Sequence, residues 1–335
     1  MIVTVTPNPA LDRTLTVPHI QFDEMIRATA SRIDWGGKGF NVSRALQSLG
    51  LESVAMGFVG GATGETLARG LNDMGIATDF VHVGEETRTN TVITEAATQR
   101  YVKVNEAGPT VRAQEVAAFL EHARERVRPG DVWVLSGSLP PGAPPDFYAQ
   151  LIRLVQAEGA KALLDTSGEP LRLGCAAGPH LVKPNAVEAG EMMGRAIQSD
   201  ADALDAVAFL LRTDVIYPPD VVYPPDAVRS QGAEMVALSL GAGGLLLASQ
   251  RRSVWARPPT VQARNPVGAG DALVAGITWA LARGLPLDEV ARWGVAAGTA
   301  AAVREGVSTG TRAEIERLYE QVRTVWAKPI VIQES

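Results

Sequence analysis

The sequence predicts an α/β fold: a doubly wound, mostly parallel sheet with helices on both faces, carrying a small β-sheet lid near its N-terminus. Two observations predict it. Beyond residue 110, apolar runs of strand length alternate with segments of helical spacing, the signature of crossover units on a parallel sheet. Nearer the N-terminus, four segments instead alternate polar and apolar residues, which suits a sheet with one wet face and not a buried parallel core. A chain of 335 residues, 46% hydrophobic and 20% charged, is ordinary for a globular protein and long enough to bury a large core.

In chain order, Ile2 to Val5 is a β-branched strand ending at the turn Thr6-Pro7-Asn8-Pro9. Asp12 to Val17 and Ala28 to Asp34 alternate as strands and break at Gly36-Gly37-Lys38-Gly39. Phe40 to Leu49 has helical spacing and stops at Gly50. Ser53 to Val59 reads as a strand and Gly64 to Met74 as a helix. Thr89 to Ala96 and Arg100 to Val104 alternate again and complete the expected lid. Then follow helix Ala113 to Val127, strand Val132 to Leu135, helix Pro145 to Glu158, strand Ala162 to Asp165 and the short strand Leu181-Val182. Helices are expected at 186–193 and 200–212, strands near 235–239 and 244–248, and helices over 269–283, 287–304 and 311–324. Between them, Tyr217-Pro218-Pro219-Asp220-Val221-Val222 is nearly copied by Tyr223-Pro224-Pro225-Asp226-Ala227-Val228. Paired prolines forbid helix and central strand there, so a surface excursion is expected.

Composition excludes several classes of function. The single cysteine, Cys175, forms no internal disulfide, and His19, His82, His122 and His180 stand too far apart for a structural zinc pattern. A net charge of −6 argues against nucleic acid as partner. With no basic, apolar leader at the start and no apolar run of about 20 residues, the expected location is the cytoplasm and no membrane partner is expected.

Five constellations can carry chemistry. In Asn265-Pro266-Val267-Gly268-Ala269-Gly270-Asp271, two glycines before a helix let backbone N–H groups converge on an anion. Asp271 stands at the helix start as a proton acceptor, or simply as a cap. In Lys183-Pro184-Asn185-Ala186-Val187-Glu188, Asn185 and Glu188 share a helical face and suit Mg²⁺ through water, or form a capping box. Gly36-Gly37-Lys38-Gly39-Phe40-Asn41 is not a Walker A loop, because no Ser/Thr follows Lys38. Its glycines admit a sugar close to the backbone, and Lys38 can pair with phosphate. Ser136-Gly137-Ser138-Leu139-Pro140 follows a strand where doubly wound sheets place ligands. It lacks nucleophile-elbow spacing, so Ser138 reads as a hydrogen-bond donor. Ser239-Leu240-Gly241-Ala242-Gly243-Gly244 lacks the dinucleotide pattern and reads as a nucleotide wall or a hairpin turn.

In this order the motifs resemble the ribokinase/phosphofructokinase-B family of sugar kinases, from Thr4 to about residue 324. The quoted matches are Asn8-Pro9-Ala10-Leu11-Asp12, Gly36 to Gly39, Thr87-Arg88-Thr89-Asn90, Ser136 to Pro140, Val182 to Asn185 with Glu188, and Val267 to Asp271. The Tyr-Pro-Pro-Asp excursion departs from the family as an insertion. The resemblance implies a single ribokinase-like αβα kinase domain over 1–335, with a discontinuous β lid from about 12–35 and 88–105 that also mediates a homodimer. It implies ATP and Mg²⁺ as cofactors and a ketohexose phosphate as substrate. Asp271 carries over as general base, with Gly268, Ala269 and Gly270 as the anion hole. Asp12, Gly37, Lys38, Asn41, Arg88 and Ser138 match the sugar-phosphate side, Asn185, Ser239 and Gly241 with Gly268 and Gly270 the nucleotide side, and Asn185 and Glu188 the metal. Lys38 inside the glycine turn resembles the 1-phosphofructokinase and tagatose-6-phosphate kinase branches, so fructose 1-phosphate is the expected acceptor. Tagatose 6-phosphate and fructose 6-phosphate are the alternatives. A sugar-phosphate sensor on the same fold is the non-enzymatic alternative, and it would be favoured by loss of Asp271 or of its glycines, which are present. A nicotinamide oxidoreductase would need Gly-x-Gly-x-x-Gly after the first strand, which ends instead in Thr6-Pro7-Asn8-Pro9.

Overall fold

The structure, a computed structural model, describes residues 1–98, 100–211, 232–264, 267–304 and 309–327. The expected excursion over Tyr217 to Val228, and Asn265 and Pro266 of the glycine-rich motif, lie outside the described residues. The first half comprises β1 (Ile2–Thr6), β2 (Ala10–Val17), β3 (Ala30–Gly36), α1 (Lys38–Ser48), β4 (Val54–Val59), α2 (Gly61–Asp73), β5 (Ala77–Thr78), β6 (Val81–His82), β7 (Arg88–Glu95) and β8 (Tyr101–Val104). Next come α3 (Ala113–Arg126), β9 (Val132–Ser136), α4 (Phe147–Ala157), β10 (Lys161–Asp165), α5 (Gly168–Ala176), β11 (Leu181–Val182), α6 (Ala186–Met193) and α7 (Asp200–Leu211). The chain continues with β12 (Met235–Ser239), β13 (Leu245–Ser249), β14 (Ser253–Arg257), α8 (Ala269–Leu281), α9 (Leu287–Ala302), α10 (Arg312–Tyr319) and β15 (Arg323–Trp326).

The large sheet runs β15-β14-β13-β12-β11-β10-β9-β1-β4-β5, with β6 also pairing to β4. From β12 through β5 every pairing is parallel, while β12 to β15 form an antiparallel edge. Successive residues of the central strands serve opposite layers. Val3, Val5, Trp133 and Leu135 pack with Phe119, Phe147, Leu171 and Val207 of α3, α4, α5 and α7. Their neighbours Ile2, Val132 and Val134 pack with Val42, Leu46, Ile277, Val295 and Ile315 of α1, α8, α9 and α10. This is a parallel sheet covered on both faces, and each fully buried large apolar side chain contributes about 1.5–3 kcal/mol. The second sheet, β3-β2-β7-β8, is half-buried along β2 and β7 and exposed along β8. Trp35 at its inner end packs against α2, where a Cβ at Gly70 would lie 2.1 Å from the indole.

Two expectations need correction. The helix read over 311–324 ends at Tyr319, and Arg323–Trp326 pairs antiparallel with β14. A β-branched and aromatic run beside an open edge gains a full ladder there, which outweighs its helical spacing. The helix α5 and the strand β14 were not anticipated: α5 is short and has Pro170 in its first turn, and β14 follows the charged hairpin tip Arg251-Arg252.

A close helix–helix contact joins α8 to α9. A Cβ at Gly276 would fall 2.3 Å from the Trp293 carbonyl oxygen, so only glycine fits. Gly276→Ala is expected to destabilise the protein by about 1–3 kcal/mol in urea unfolding, through overpacking. An unchanged midpoint would contradict this close approach.

Candidate active site

The site lies at the carboxyl ends of β1, β10, β11 and β12, the end where open parallel sheets leave a crevice. Helix α1 is pressed onto β1: a Cβ at Gly39 would sit 2.6 Å from Thr6 Oγ1 and 3.0 Å from the Val5 carbonyl oxygen. A buried hydroxyl chain fixes it further, with Thr4 Oγ1 and Ser43 Oγ 2.7 Å apart and Ser53 donating to Ser43 at 2.9 Å. Gly37 links β3 to α1 as the helix N-cap, so Lys38 and Asn41, three residues apart, share the helix face at this crevice.

Helix α8 approaches from the other side of the crevice. Gly268 takes a left-handed conformation (φ 83°) as its N-cap, and Ala269, Gly270 and Asp271 form the first turn. Asp271 is only 7% exposed, and its Oδ2 accepts a 2.7 Å hydrogen bond from Asn41 Nδ2. Burial, reinforced by the nearby Asp165 carboxylate, pushes the Asp271 carboxyl up to about 6; the Asn41 bond, Lys38 and Lys183 hold it from rising further.

Asp165, at the end of β10, anchors both lysines. Lys183 Nζ lies 3.2 Å and Lys38 Nζ 3.4 Å from the same Oδ1, while Oδ2 is buried without a partner. Burial lowers the Lys38 ammonium, but Asp165, Asp271 and Glu188 together outweigh it and leave its pKa raised, so Lys38 stays a cation. Lys183 also faces the glycine turn, since a Cβ at Gly270 would lie 4.0 Å from its Nζ. Cations thus line both sides of the α8 N-terminus, where the helix dipole already favours an anion.

Asn185 and Glu188 build a complete capping box at α6: Asn185 Oδ1 accepts from the Val187 and Glu188 amides, and Glu188 Oε2 accepts from the Asn185 amide. The cap spends the Asn185 oxygen, whereas Glu188 keeps Oε1 outside it. Among the described residues no group of three or more His, Cys, Asp or Glu side chains is placed to hold a metal. Ser239 bridges to Asn185 and donates from its amide to the Pro184 carbonyl. Gly241 begins a short 3-10 turn over Gly241–Gly243, which closes the β12–β13 hairpin.

The remaining expected residues belong to the small sheet and its junction. Asp12 Oδ1 accepts from Asn90 Nδ2 at 2.8 Å, and burial raises its carboxyl despite that bond and the charges of Lys103 and Arg88. Arg88 donates to the carbonyls of Asn8 (2.8 Å), Glu106 (3.1 Å) and Pro9 (3.4 Å), bracing the strand ends. Ser138 is exposed just beyond β9. The structure therefore joins Asn41 to Asp271 directly, joins Lys38 and Lys183 through Asp165 with Gly270 beside Lys183, and places Glu188 near enough to act on the Lys38 charge. Asp12, Arg88 and Ser138 stand on the small-sheet side.

Three participants escaped the sequence reading. Asp165 closes a predicted parallel strand, and its position at the carboxyl end was the available signal. Lys183 stood inside a quoted motif with no role given. Arg44 lies one turn past Asn41, on the face already identified.

Comparison with known proteins agrees with this geometry. The pattern of the "pfkB family carbohydrate kinase" matches residues 8–216 and 226–314. A 1-phosphofructokinase of Bacillus subtilis (strain 168) is 35% identical over 323 residues, 96% of this chain and 99% of that protein. The phosphofructokinase-2 from Escherichia coli, in complex with fructose-6-phosphate, is 31% identical with a TM-score of 0.82, covering 96% of this chain and 98% of that one. Arabidopsis thaliana ribokinase, complexed with ribose and ATP, shares the fold at 20% identity and a TM-score of 0.71, covering 95% and 98% of the two chains. With the glycine turn, the buried aspartate and the doubly covered sheet in place, the chain belongs to the pfkB family of carbohydrate kinases.

Proposed function

We propose that this kinase transfers the γ-phosphoryl group of ATP to fructose 1-phosphate, giving fructose 1,6-bisphosphate, with Asp271 as the general base. The observation that carries the reading is the Asp271 carboxylate, buried at the first turn of α8, raised to about 6 and held by Asn41 between two lysines. A base with a pKa near the working pH is ionised enough to act and basic enough to take a proton from an attacking hydroxyl. Phosphoryl transfer otherwise needs positioning and charge stabilisation. The amides around Gly268, Ala269 and Gly270 supply the anion hole, and Lys38 and Lys183 balance the phosphates.

Mg²⁺ would supply charge neutralisation on the transferring phosphates. The residues fit a water-mediated metal: Glu188 has an oxygen outside its cap, and Asp165 Oδ2 is a buried acceptor with no partner. Few protein groups and several retained waters is the usual Mg²⁺ arrangement. Asn185 serves this site by fixing Glu188 and by lining the nucleotide side with Ser239 and Gly241.

Lys38, Asn41, Asp12, Gly37, Arg88 and Ser138 form the sugar-phosphate side of this reading. The small sheet acts as a lid on a single kinase domain and excludes water before transfer. Its exposed Ile33, Val102 and Val104 share one face of the sheet, an apolar surface that a second copy of the chain would cover in a homodimer. Among the described residues no helix is long and apolar enough to cross a membrane, and a cytoplasmic location completes the reading. Fructose 1-phosphate is preferred over the 6-phosphates on two grounds: Lys38 within the glycine turn, and the 1-phosphofructokinase similarity. The likeness to an enzyme complexed with fructose-6-phosphate makes that sugar the second candidate.

The substrate assignment is tested by ADP release with Mg²⁺-ATP against fructose 1-phosphate, fructose 6-phosphate, tagatose 6-phosphate and unphosphorylated sugars. The highest kcat/KM is expected for fructose 1-phosphate, and a higher value for either 6-phosphate would move the enzyme to another branch. Asp271→Asn keeps the shape of the Asn41 contact while removing the base. It is expected to leave sugar-phosphate binding intact and to lower kcat by about 10²–10⁴-fold. Near-normal turnover in that variant would remove Asp271 from the mechanism.

A further inference from the structure

Asn41 is an ambiguous partner for a carboxylate, because its amide can turn either an NH₂ donor or an oxygen acceptor towards it. The structure contains a device that removes the ambiguity. Arg44, one turn further along α1, donates from Nη2 to Asn41 Oδ1 at 2.6 Å. The same nitrogen donates to the Trp35 carbonyl oxygen of β3, also at 2.6 Å. With Oδ1 occupied by a guanidinium, the Asn41 NH₂ is the group left to face Asp271, and it does so at 2.7 Å. We propose that Arg44 is a positioning residue for phosphoryl transfer: it locks the Asn41 amide with its donor towards Asp271, and through Trp35 it ties that orientation to the small sheet.

Several details support this role over a merely structural one. Arg44 is half-buried, and its Nε is enclosed without a partner, so the side chain is not held for the sake of satisfying its own donors. A lysine in its place would offer tetrahedral, freely rotating donors, whereas the planar guanidinium nitrogen fixes two diverging N–H bonds on two acceptors of different elements. Burial pulls the Arg44 guanidinium down, and Asp34 on β3, Asp271 on α8 and Asp12 on β2 hold it up, so it stands between acids of the small sheet and the acid of α8. The charged groups around Asp271 are Asp165 at the end of β10, Lys38 and Arg44 on α1 and Lys183 after β11. Asn41 donates the hydrogen bond described at the Asp271 carboxylate, and Arg44 controls which end of the amide is turned there.

The chemical consequence has a definite sign. A hydrogen bond donated to an ionised carboxylate favours ionisation, whereas an amide oxygen turned towards it favours the protonated acid. Loss of Arg44 releases the amide and therefore raises the pH at which Asp271 gives up its proton. This inference rests on Asp271 as the general base, and the test separates the two.

The experiment measures kcat at saturating substrates against pH for Arg44→Met, Asn41→Ala and the double variant, beside 13C NMR titration of the Asp271 carboxyl in the resting enzymes. Arg44→Met is expected to move the acid limb of kcat upward by about one pH unit, so that turnover falls about fivefold near pH 6 and little near pH 8. Asn41→Ala is expected to move it in the same direction, and Arg44→Met is expected to add nothing further in that background. Where Arg44→Met does not fold, Arg44→Lys, which keeps the charge and loses the shared planar donor, carries the same comparison. Equal shifts with and without Asn41 would mean that Arg44 acts through its field alone, and no shift would mean that it only braces β3; either overturns the proposal. A carboxyl that shifts by NMR while kcat keeps its pH profile would retain the Arg44–Asn41 device and dismiss Asp271 as the base.

Discussion

One hydrogen bond, from Asn41 Nδ2 to Asp271 Oδ2, joins residues 230 apart in sequence and sets the geometry on which the site depends. It fastens the start of α1 to the start of α8, two helices packed side by side on the same face of the sheet. Both helix N-termini stand at the carboxyl ends of the central strands, α1 after the turn that ends β3 and α8 after the antiparallel edge strand β14. The Gly39 contact with β1 and the Gly276 contact with α9 bring the backbones close enough for a short asparagine to span the gap.

Holding a carboxylate there works against the fold. Its ordinary value of 3.8 is raised to about 6, a difference corresponding to roughly 3 kcal/mol. The folded chain binds this proton more tightly than the unfolded chain does. The stabilisation is fully present below about pH 3.8 and is lost as pH rises through about 6, so at neutral pH the ionised group costs stability. Asp165 makes the same kind of demand, but Lys38 and Lys183 stand against it. The two acids differ in what answers them: Asp165 has two cations in contact, while Asp271 has a neutral amide in contact and the lysines further off.

Much of this was legible in the sequence, and the reasons for the rest are physical. Strand and helix alternation marked the doubly covered sheet, because burial on both faces forces continuous apolar strands such as Val132 to Leu135. The glycine turn before α8 and the Gly36-Gly37-Lys38-Gly39 break before α1 were visible because an anion turn and a close helix approach both need glycine at fixed positions. Arg323–Trp326 was misread because edge pairing with β14 is a tertiary gain that a local period does not record. Asp165 was passed over because a single aspartate at a strand end has no local pattern. Its two lysines come from positions 38 and 183, and only the sheet order brings them to one oxygen. Arg44 stood one helical turn from a named residue, yet its target, the Trp35 carbonyl, belongs to the backbone and carries no sequence signal.

Burial beside Asp165 gives Asp271 a carboxyl poised near neutral pH. The direct measurement is the midpoint of the Asp271 carboxyl 13C titration in the wild-type enzyme without substrates, with Asp271→Asn used to assign the signal. The account predicts a midpoint at about 6. A midpoint at or below the ordinary aspartate value of about 3.9 would contradict it, leaving Asp271 a weakly basic anion at the helix start.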